Sequence, residues 1–232
     1  MRTIGLIGGM SWESSAHYYR LINRAVQDRL GGVHSAPILL WSVDFGPVAA
    51  AQGAGDWDGL AETMADAARR LVRGGADLLL ICTNTMHKLA DRVAAAAEGV
   101  PLIHIADPTA AAIRAAGHAR IGLLGTAFTM EQPFYRDRLA DRFGLEVLVP
   151  PADDRATVHR IIYDELVRGT VSPASRAAYR AIIARLVEAG AEAIILGCTE
   201  IMLLVDETDS AVPLFDTTTL HAMAAVEAAL AG

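Results

Sequence analysis

The chain is short of cysteine, lysine and aromatic residues, and each shortage removes a class of chemistry. Its 232 residues include two cysteines, 6% aromatics and a single lysine, Lys88. Two cysteines, each at the end of an apolar run, give no disulfide framework, no CxxC redox pair and no zinc pair. The seven histidines are scattered, with no HExxH and no His-Cys grouping, so no metal is expected. Nothing around Lys88 supports pyridoxal phosphate, and GxGxxG spacing is absent, so no cofactor is expected. Basic charge is also scarce. With 20 Lys+Arg against 27 Asp+Glu the net charge is −7; this disfavours a nucleic-acid partner and means that an anionic substrate must be attracted locally.

Long apolar runs are missing as well. Hydrophobic residues make up 53% and the mean hydropathy is +0.31, but much of this is alanine. No run approaches the ~20 residues of a membrane-spanning helix. The stretch 1–10 carries one Arg before Gly8-Gly9 and reads as a first buried strand rather than a signal sequence. A cytoplasmic enzyme with no membrane partner is the expected setting.

What is present is a repeat. Short β-rich apolar segments alternate with helical patterns, as in βαβ units on a parallel sheet. Strands are predicted at 3–7, 37–43, 77–82 and 101–105, then at 120–125, 145–150, 193–197 and 213–215. Helices are predicted at 13–30, 58–73, 134–143, 174–189 and 217–230, with Thr129 to Gln132 at capping-box spacing before the third. Ile4-Gly5-Leu6-Ile7-Gly8 recurs as Ile121-Gly122-Leu123-Leu124-Gly125, and Val100-Pro101-Leu102 as Val212-Pro213-Leu214. The expected fold is α/β, with two pseudo-symmetric parallel-sheet domains of Rossmann-like or flavodoxin-like type. Residues 1–115 plus 212–232 form the first, with the last helix returning to cover it, and 116–211 form the second.

The repeat also aligns Gly75-Ala76-Asp77 with Gly190-Ala191-Glu192, and so places Thr83 opposite Cys198. Cys82 falls one position out of register and reads as core. Ligands of open α/β sheets bind outside the carboxyl ends of the strands. A duplicated strand end with a hydroxyl in one copy and a thiol in the other suggests two groups acting on one carbon, which is the arrangement for moving a proton from one face to the other. Cys198 precedes an apolar helical stretch, where a helix N-terminus would favour thiolate. Thr83 would need a neighbouring base or a water, and His87, four residues on, either assists it or is structural. Gly8-Gly9-Met10-Ser11 can present amides to an anion or simply make a tight turn. Gly125-Thr126 holds the matching place, and Asn84, Thr85 and Thr199 add donors suited to a carboxylate.

The set Gly8-Gly9-Met10-Ser11, Thr83-Asn84-Thr85-Met86-His87 and Gly197-Cys198-Thr199-Glu200, in that order over almost the whole chain, resembles the cofactor-independent aspartate/glutamate racemases. These lie within the aspartate, glutamate and hydantoin racemase superfamily. The resemblance implies an active site in the cleft between the two domains, with two cysteines exchanging the α-proton of an acidic amino acid. It also implies a substrate site lined by Met10, Ser11, Gln52, Asn84, Thr85, Thr199 and Glu200, a cation such as Arg168 or Arg160 for the distal carboxylate, and a homodimer. The chain departs from the pattern where Thr83 stands for the first cysteine. That departure is similar to a subgroup acting on L-aspartate or L-glutamate, with Cys198 as the base on the L side. Two alternatives stay open: a one-cysteine decarboxylase or cis-trans isomerase of the same superfamily, and a non-catalytic module that binds an acidic amino acid.

Overall fold

The computed structural model describes residues 1–231. It contains two four-stranded parallel sheets with the same strand order, β2-β1-β3-β4 and β6-β5-β7-β8. The strands are β1 Ile4–Gly8, β2 Ile38–Ser42, β3 Leu78–Ile81, β4 Leu102–Ile103, β5 Arg120–Gly125, β6 Glu146–Leu148, β7 Ala193–Gly197 and β8 Leu214–Asp216. The pairing registers repeat as the sequence alignment does. Ile4 pairs with Leu78 and Ile121 with Ala193; Leu79 pairs with Leu102 and Ile194 with Leu214.

The acid of each Gly-Ala-acid step fastens its sheet. Asp77 Oδ2 accepts from Thr3 N–H at 2.7 Å, and Glu192 Oε2 accepts from the N–H groups of Ala119 and Arg120 at 2.8 and 3.2 Å. Two residues before each acid, Gly75 and Gly190 take φ of 96° and 98°, the left-handed region that a side chain disfavours.

The chain divides into two compact units, Met1–Ile105 with the segment from His221 onward, and Ala106–Leu220. Two segments thus fall on the other side of the sequence-derived boundaries. Residues 106–115 form helix α5 (Ala106–Ala115), which packs on α7 (Pro133–Phe143) and β8, and residues 212–220 include β8, which pairs with β7.

In the first unit the sheet is covered on both faces. Leu79 and Ile81 face α3 (Trp57–Arg73), whose Leu60, Met64, Ala67, Ala68 and Leu71 repeat at helical spacing. Leu78, Leu80 and Cys82 face α1 (Trp12–Leu30) and α10 (Thr217–Leu230), which contributes Ala222, Ala225, Val226 and Ala229. Each fully buried Leu or Ile here contributes ~1.5–3 kcal/mol. The last helix thus packs on the first unit's sheet, with Cys82 in the core between them. In the second unit α8 (Ala152–Asp164) and α9 (Pro173–Glu188) pack on β5. The remaining helices are α2 (Phe45–Ala54), α4 (Ala90–Ala96) and α6 (Ala127–Glu131).

One expected cap is corrected. Thr129 lies inside α6, capped by Thr126, and α7 starts instead at Gln132 with Pro133 in its first turn and no side-chain cap. Among the described residues no helix is long and apolar enough to cross a membrane.

Candidate active site

In the first unit the loops beyond β1 and β3 are tied to each other. Gly9 has φ +91°, and a Cβ there would run into the Val43 backbone. Its N–H donates to Ser15 Oγ at 2.7 Å, and that hydroxyl donates to the Ser11 carbonyl at 3.0 Å. Ser11 caps α1, its Oγ accepting from Ser14 N–H at 3.3 Å, while Ser14 Oγ donates to the Cys82 carbonyl at 3.0 Å. The glycine-rich turn is thus held against the end of β3 through the first turn of α1. The amide of Gly9 is spent in this lock, so it is not one that meets an anion.

Thr83, partly exposed, comes directly after Cys82, and Asn84, Thr85 and His87 behind it are buried. A short 3-10 helix, Thr85–Leu89, carries Met86 back toward α2, where Gln52 Nε2 donates to its sulfur at 3.1 Å. Met10, Val48 and Met86 belong to one apolar cluster. The structure therefore gathers the predicted Met10, Ser11, Gln52, Thr83, Asn84 and Thr85 around the carboxyl ends of β1 and β3. His87 sits with them but is engaged by backbone on both nitrogens, Nδ1 with the Thr83 carbonyl at 2.8 Å and Nε2 with Ile105 N–H at 3.1 Å.

The corresponding end of the second unit's sheet is built around Cys198, the residue immediately after β7. Its thiol donates to Glu200 Oε2 at 3.1 Å, and the Thr199 hydroxyl donates to the same oxygen at 2.7 Å. Burial, then the Glu200 carboxylate, push the Cys198 thiol well above its ordinary pKa, against an opposite pull from the backbone N–H groups of Glu200 and Thr199. The lowered value expected from a helix N-terminus is corrected. The segment beyond Cys198 is a three-residue 3-10 turn, Ile201–Leu203, too short to carry a useful dipole beside a buried carboxylate. Cys82, desolvated in the core, is also pushed up, and it donates its N–H to Ile7.

Two tyrosines near Cys198, and a histidine beside one of them, are not among the residues that the sequence pattern singles out. Tyr163 on α8 and Tyr179 on α9 have hydroxyls pushed up, first by burial and then by Cys198, with Glu200 adding to the effect. His159 lies one turn before Tyr163, ring centroids 4.7 Å apart, and its Nδ1 accepts from Ala127 N–H at 3.1 Å. Desolvation lowers its pKa, opposed by Glu131 and Asp164. The i, i+4 spacing of His159 and Tyr163 is the signal that sequence offers, and it says nothing of which way the pair faces.

Of the two candidate cations, Arg160 lies 3.6 Å from Glu165, whereas Arg168 ends a 3-10 turn and is exposed, with no ion pair among the described residues. Among the described residues no cluster of His, Cys, Asp and Glu is arranged to hold a metal.

The same fold recurs in known proteins. The family model for Asp/Glu/hydantoin racemases matches residues 7–225. A crystal structure of a candidate Asp/Glu racemase from Yersinia pestis shares 53% identity and a TM-score of 0.91, covering 99% of this chain and 100% of that one. An aspartate racemase homologue from Pyrococcus horikoshii OT3 shares 32% identity and a TM-score of 0.84, again over 99% and 100%. A glutamate racemase from Francisella tularensis, solved with D-glutamate, is 15% identical with a TM-score of 0.71, over 99% of this chain and 81% of that one, a likeness of fold alone.

Proposed function

Because the chain belongs to the Asp/Glu/hydantoin racemase family, we propose that it is a cofactor-independent amino-acid racemase acting on aspartate, glutamate or both, kinetically biased to the L-enantiomer. The observation that carries this reading is the equivalence of Thr83 and Cys198. Each stands two residues beyond the position that pairs with Ile7 or Leu124, at the end of the same strand in two sheets of one topology.

Racemisation asks for removal of a weakly acidic α-proton and its return on the opposite face. In this reading Cys198 Sγ takes the proton of the L-acid, and Thr83 serves the D side with a water to supply and remove its proton. A well-placed acid or base contributes roughly 10²–10⁴-fold. The rest must come from donors fixed in advance around the α-carboxylate as it gains enediolate character. Asn84 and Thr85 in one unit and Thr199 in the other are side chains of the right type, and Met10, Ser11 and Gln52 complete the lining. Arg168, with no ion pair among the described residues where Arg160 meets Glu165, is the cation for the distal carboxylate. The thiol and the aliphatic hydroxyl differ widely in acidity, which is the source of the bias.

One observation favours a second reading. Since His87 is engaged by backbone on both nitrogens, it offers Thr83 no base, and chemistry resting on Cys198 alone suits a decarboxylase or cis-trans isomerase. Incubation with L-glutamate and L-aspartate in heavy water separates the two. A racemase washes deuterium into the α-position and forms the D-acid, and Cys198→Ala lowers both by roughly 10³-fold or more. Undiminished exchange in that variant would remove Cys198 from the base role. Carbon dioxide release from malonates without any exchange would favour the one-cysteine enzyme.

A further inference from the structure

A base must first lose its own proton, and the surroundings of Cys198 hold that proton in place. The sulfur is buried, and its hydrogen bond runs to Glu200 Oε2 at 3.1 Å. The same oxygen is held at 2.7 Å by the Thr199 hydroxyl, which fixes the carboxylate against the thiol. Glu200 itself is 2% exposed. A carboxylate withdrawn so far from water needs partners, and two of them are the adjacent side chains.

We propose that Glu200 is the group that takes the Cys198 proton when substrate is bound, a positioning residue that arms the sulfur rather than a ligand of the substrate. The proposal rests on the racemase reading for the carbon acid on which the sulfur then acts, but the proton transfer within the pair does not depend on it. The S–H bond breaks, its electron pair stays on sulfur, and the proton moves to Glu200 Oε2. The pair keeps one negative charge throughout, so arming the sulfur never places two charges side by side. The thiolate then takes the α-proton and becomes a thiol again. The carbanion is protonated on its other face from the Thr83 hydroxyl, whose oxygen regains a proton from water, and Glu200 releases its own proton to water. No proton is gained or lost over the cycle.

In the resting pair the proton sits on sulfur, because a thiol is ordinarily the weaker acid by about four pH units. Burial, and then the Glu200 carboxylate beside it, reinforce this by disfavouring a negative charge on the sulfur. The two tyrosines that feel the pair within this unit, and the histidine beside one of them, do not compete for the proton. Tyr163 from α8 and Tyr179 from α9 both stay protonated, and His159, tilted against Tyr163, is held toward its neutral form.

Glu200→Gln separates arming from binding. The amide keeps the shape and still accepts from Cys198 and Thr199, but it carries no charge and takes no proton. Alkylation of Cys198 by iodoacetamide is followed against pH by mass spectrometry of its peptide, which keeps it apart from the fully buried Cys82. The expected result is a pair of opposite changes. Alkylation of the variant moves to lower pH by one unit or more, about tenfold faster near pH 8, while α-deuterium exchange of the L-acid falls roughly 10²-fold or more in kcat. Glu200→Asp, which keeps the charge on a shorter arm, retains the high alkylation pH and part of the exchange.

An unmoved alkylation profile in Glu200→Gln, or a loss confined to KM, overturns the proposal and makes Glu200 a substrate ligand. The native protein gives a check that needs no variant: a Cys198 alkylation midpoint at or below that of a free thiol, about 8.5, also overturns it. If neither acid undergoes exchange but the alkylation profile still shifts, the proton pairing is supported and the racemase reading alone fails.

Discussion

His87 Nδ1 lies 2.8 Å from the carbonyl oxygen of Thr83, while Nε2 on the same ring lies 3.1 Å from the backbone nitrogen of Ile105. An amide N–H can only donate, so Nε2 accepts, and the ring proton must be on Nδ1, donating to Thr83. The imidazole is held neutral and in one tautomer. Its effect is to tie the backbone just after β3 to that just after β4.

Such a ring belongs to stability and not to chemistry. His87→Ala leaves the Thr83 carbonyl and the Ile105 N–H without the ring in a buried setting, at a cost of about 2–4 kcal/mol. Urea unfolding, read as a lower midpoint at unchanged slope, measures it. In the folded variant below its transition temperature the pH profile of exchange keeps both limbs of the native profile. Loss of the acidic limb would return His87 to the chemistry as a titrating group.

Glu192 gives a pH prediction of definite sign. Its carboxylate accepts from Ala119 N–H and then Arg120 N–H, and these hydrogen bonds hold its pKa below the ordinary 4.5. A carboxyl with a lower pKa folded than unfolded stabilises the fold above its unfolded value, and this stabilisation is lost as pH falls through the folded one. Glu192→Gln should therefore melt below the native protein at pH 7, and the two should converge as the pH falls below the ordinary carboxyl value of 4.5 and through the lowered folded one. A gap that persists unchanged in acid would mean that the Ala119 and Arg120 N–H ties owe nothing to charge.

The pairing of the two sheets is legible in the sequence because it rests on local pattern. Leu78 to Ile81 and Ala193 to Gly197 are apolar runs of strand length after the same left-handed glycine and acid, and the ladders repeat in the register of the alignment. Helix α2 is not legible. Phe45 to Ala54 is apolar nearly all round, with Pro47 and Gly53, so it shows no helical stripe; its cap is Asp44, whose carboxylate accepts from Gly46 N–H. Helix α8 is hidden behind Pro150-Pro151 and an acidic first turn, and with it Tyr163 near Cys198 and the histidine beside that tyrosine. The thiol pKa runs against the sequence expectation for a physical reason. Spacing suggests a helix start but cannot show that Glu200, two positions on, turns its carboxylate back onto the sulfur.

The Thr83→Cys variant tests the unequal pair most directly. Mirror-image acids are equally stable, so no catalyst can favour one at equilibrium, and kcat/KM for the two directions of racemisation must be equal. On the proposed mechanism a bias to the L-acid therefore shows as α-hydrogen exchange outrunning inversion, with Cys198 removing and restoring the proton on its own face many times before the Thr83 side delivers one. Replacing the hydroxyl at 83 by a thiol, of similar size and far greater acidity, should speed delivery on that face about tenfold or more while exchange on the Cys198 face stays put. The ratio of deuterium incorporated to D-acid formed, from L-glutamate in heavy water, should then fall toward parity. A ratio that does not move in a variant with native melting behaviour would mean that position 83 does not reach the carbon on which Cys198 acts.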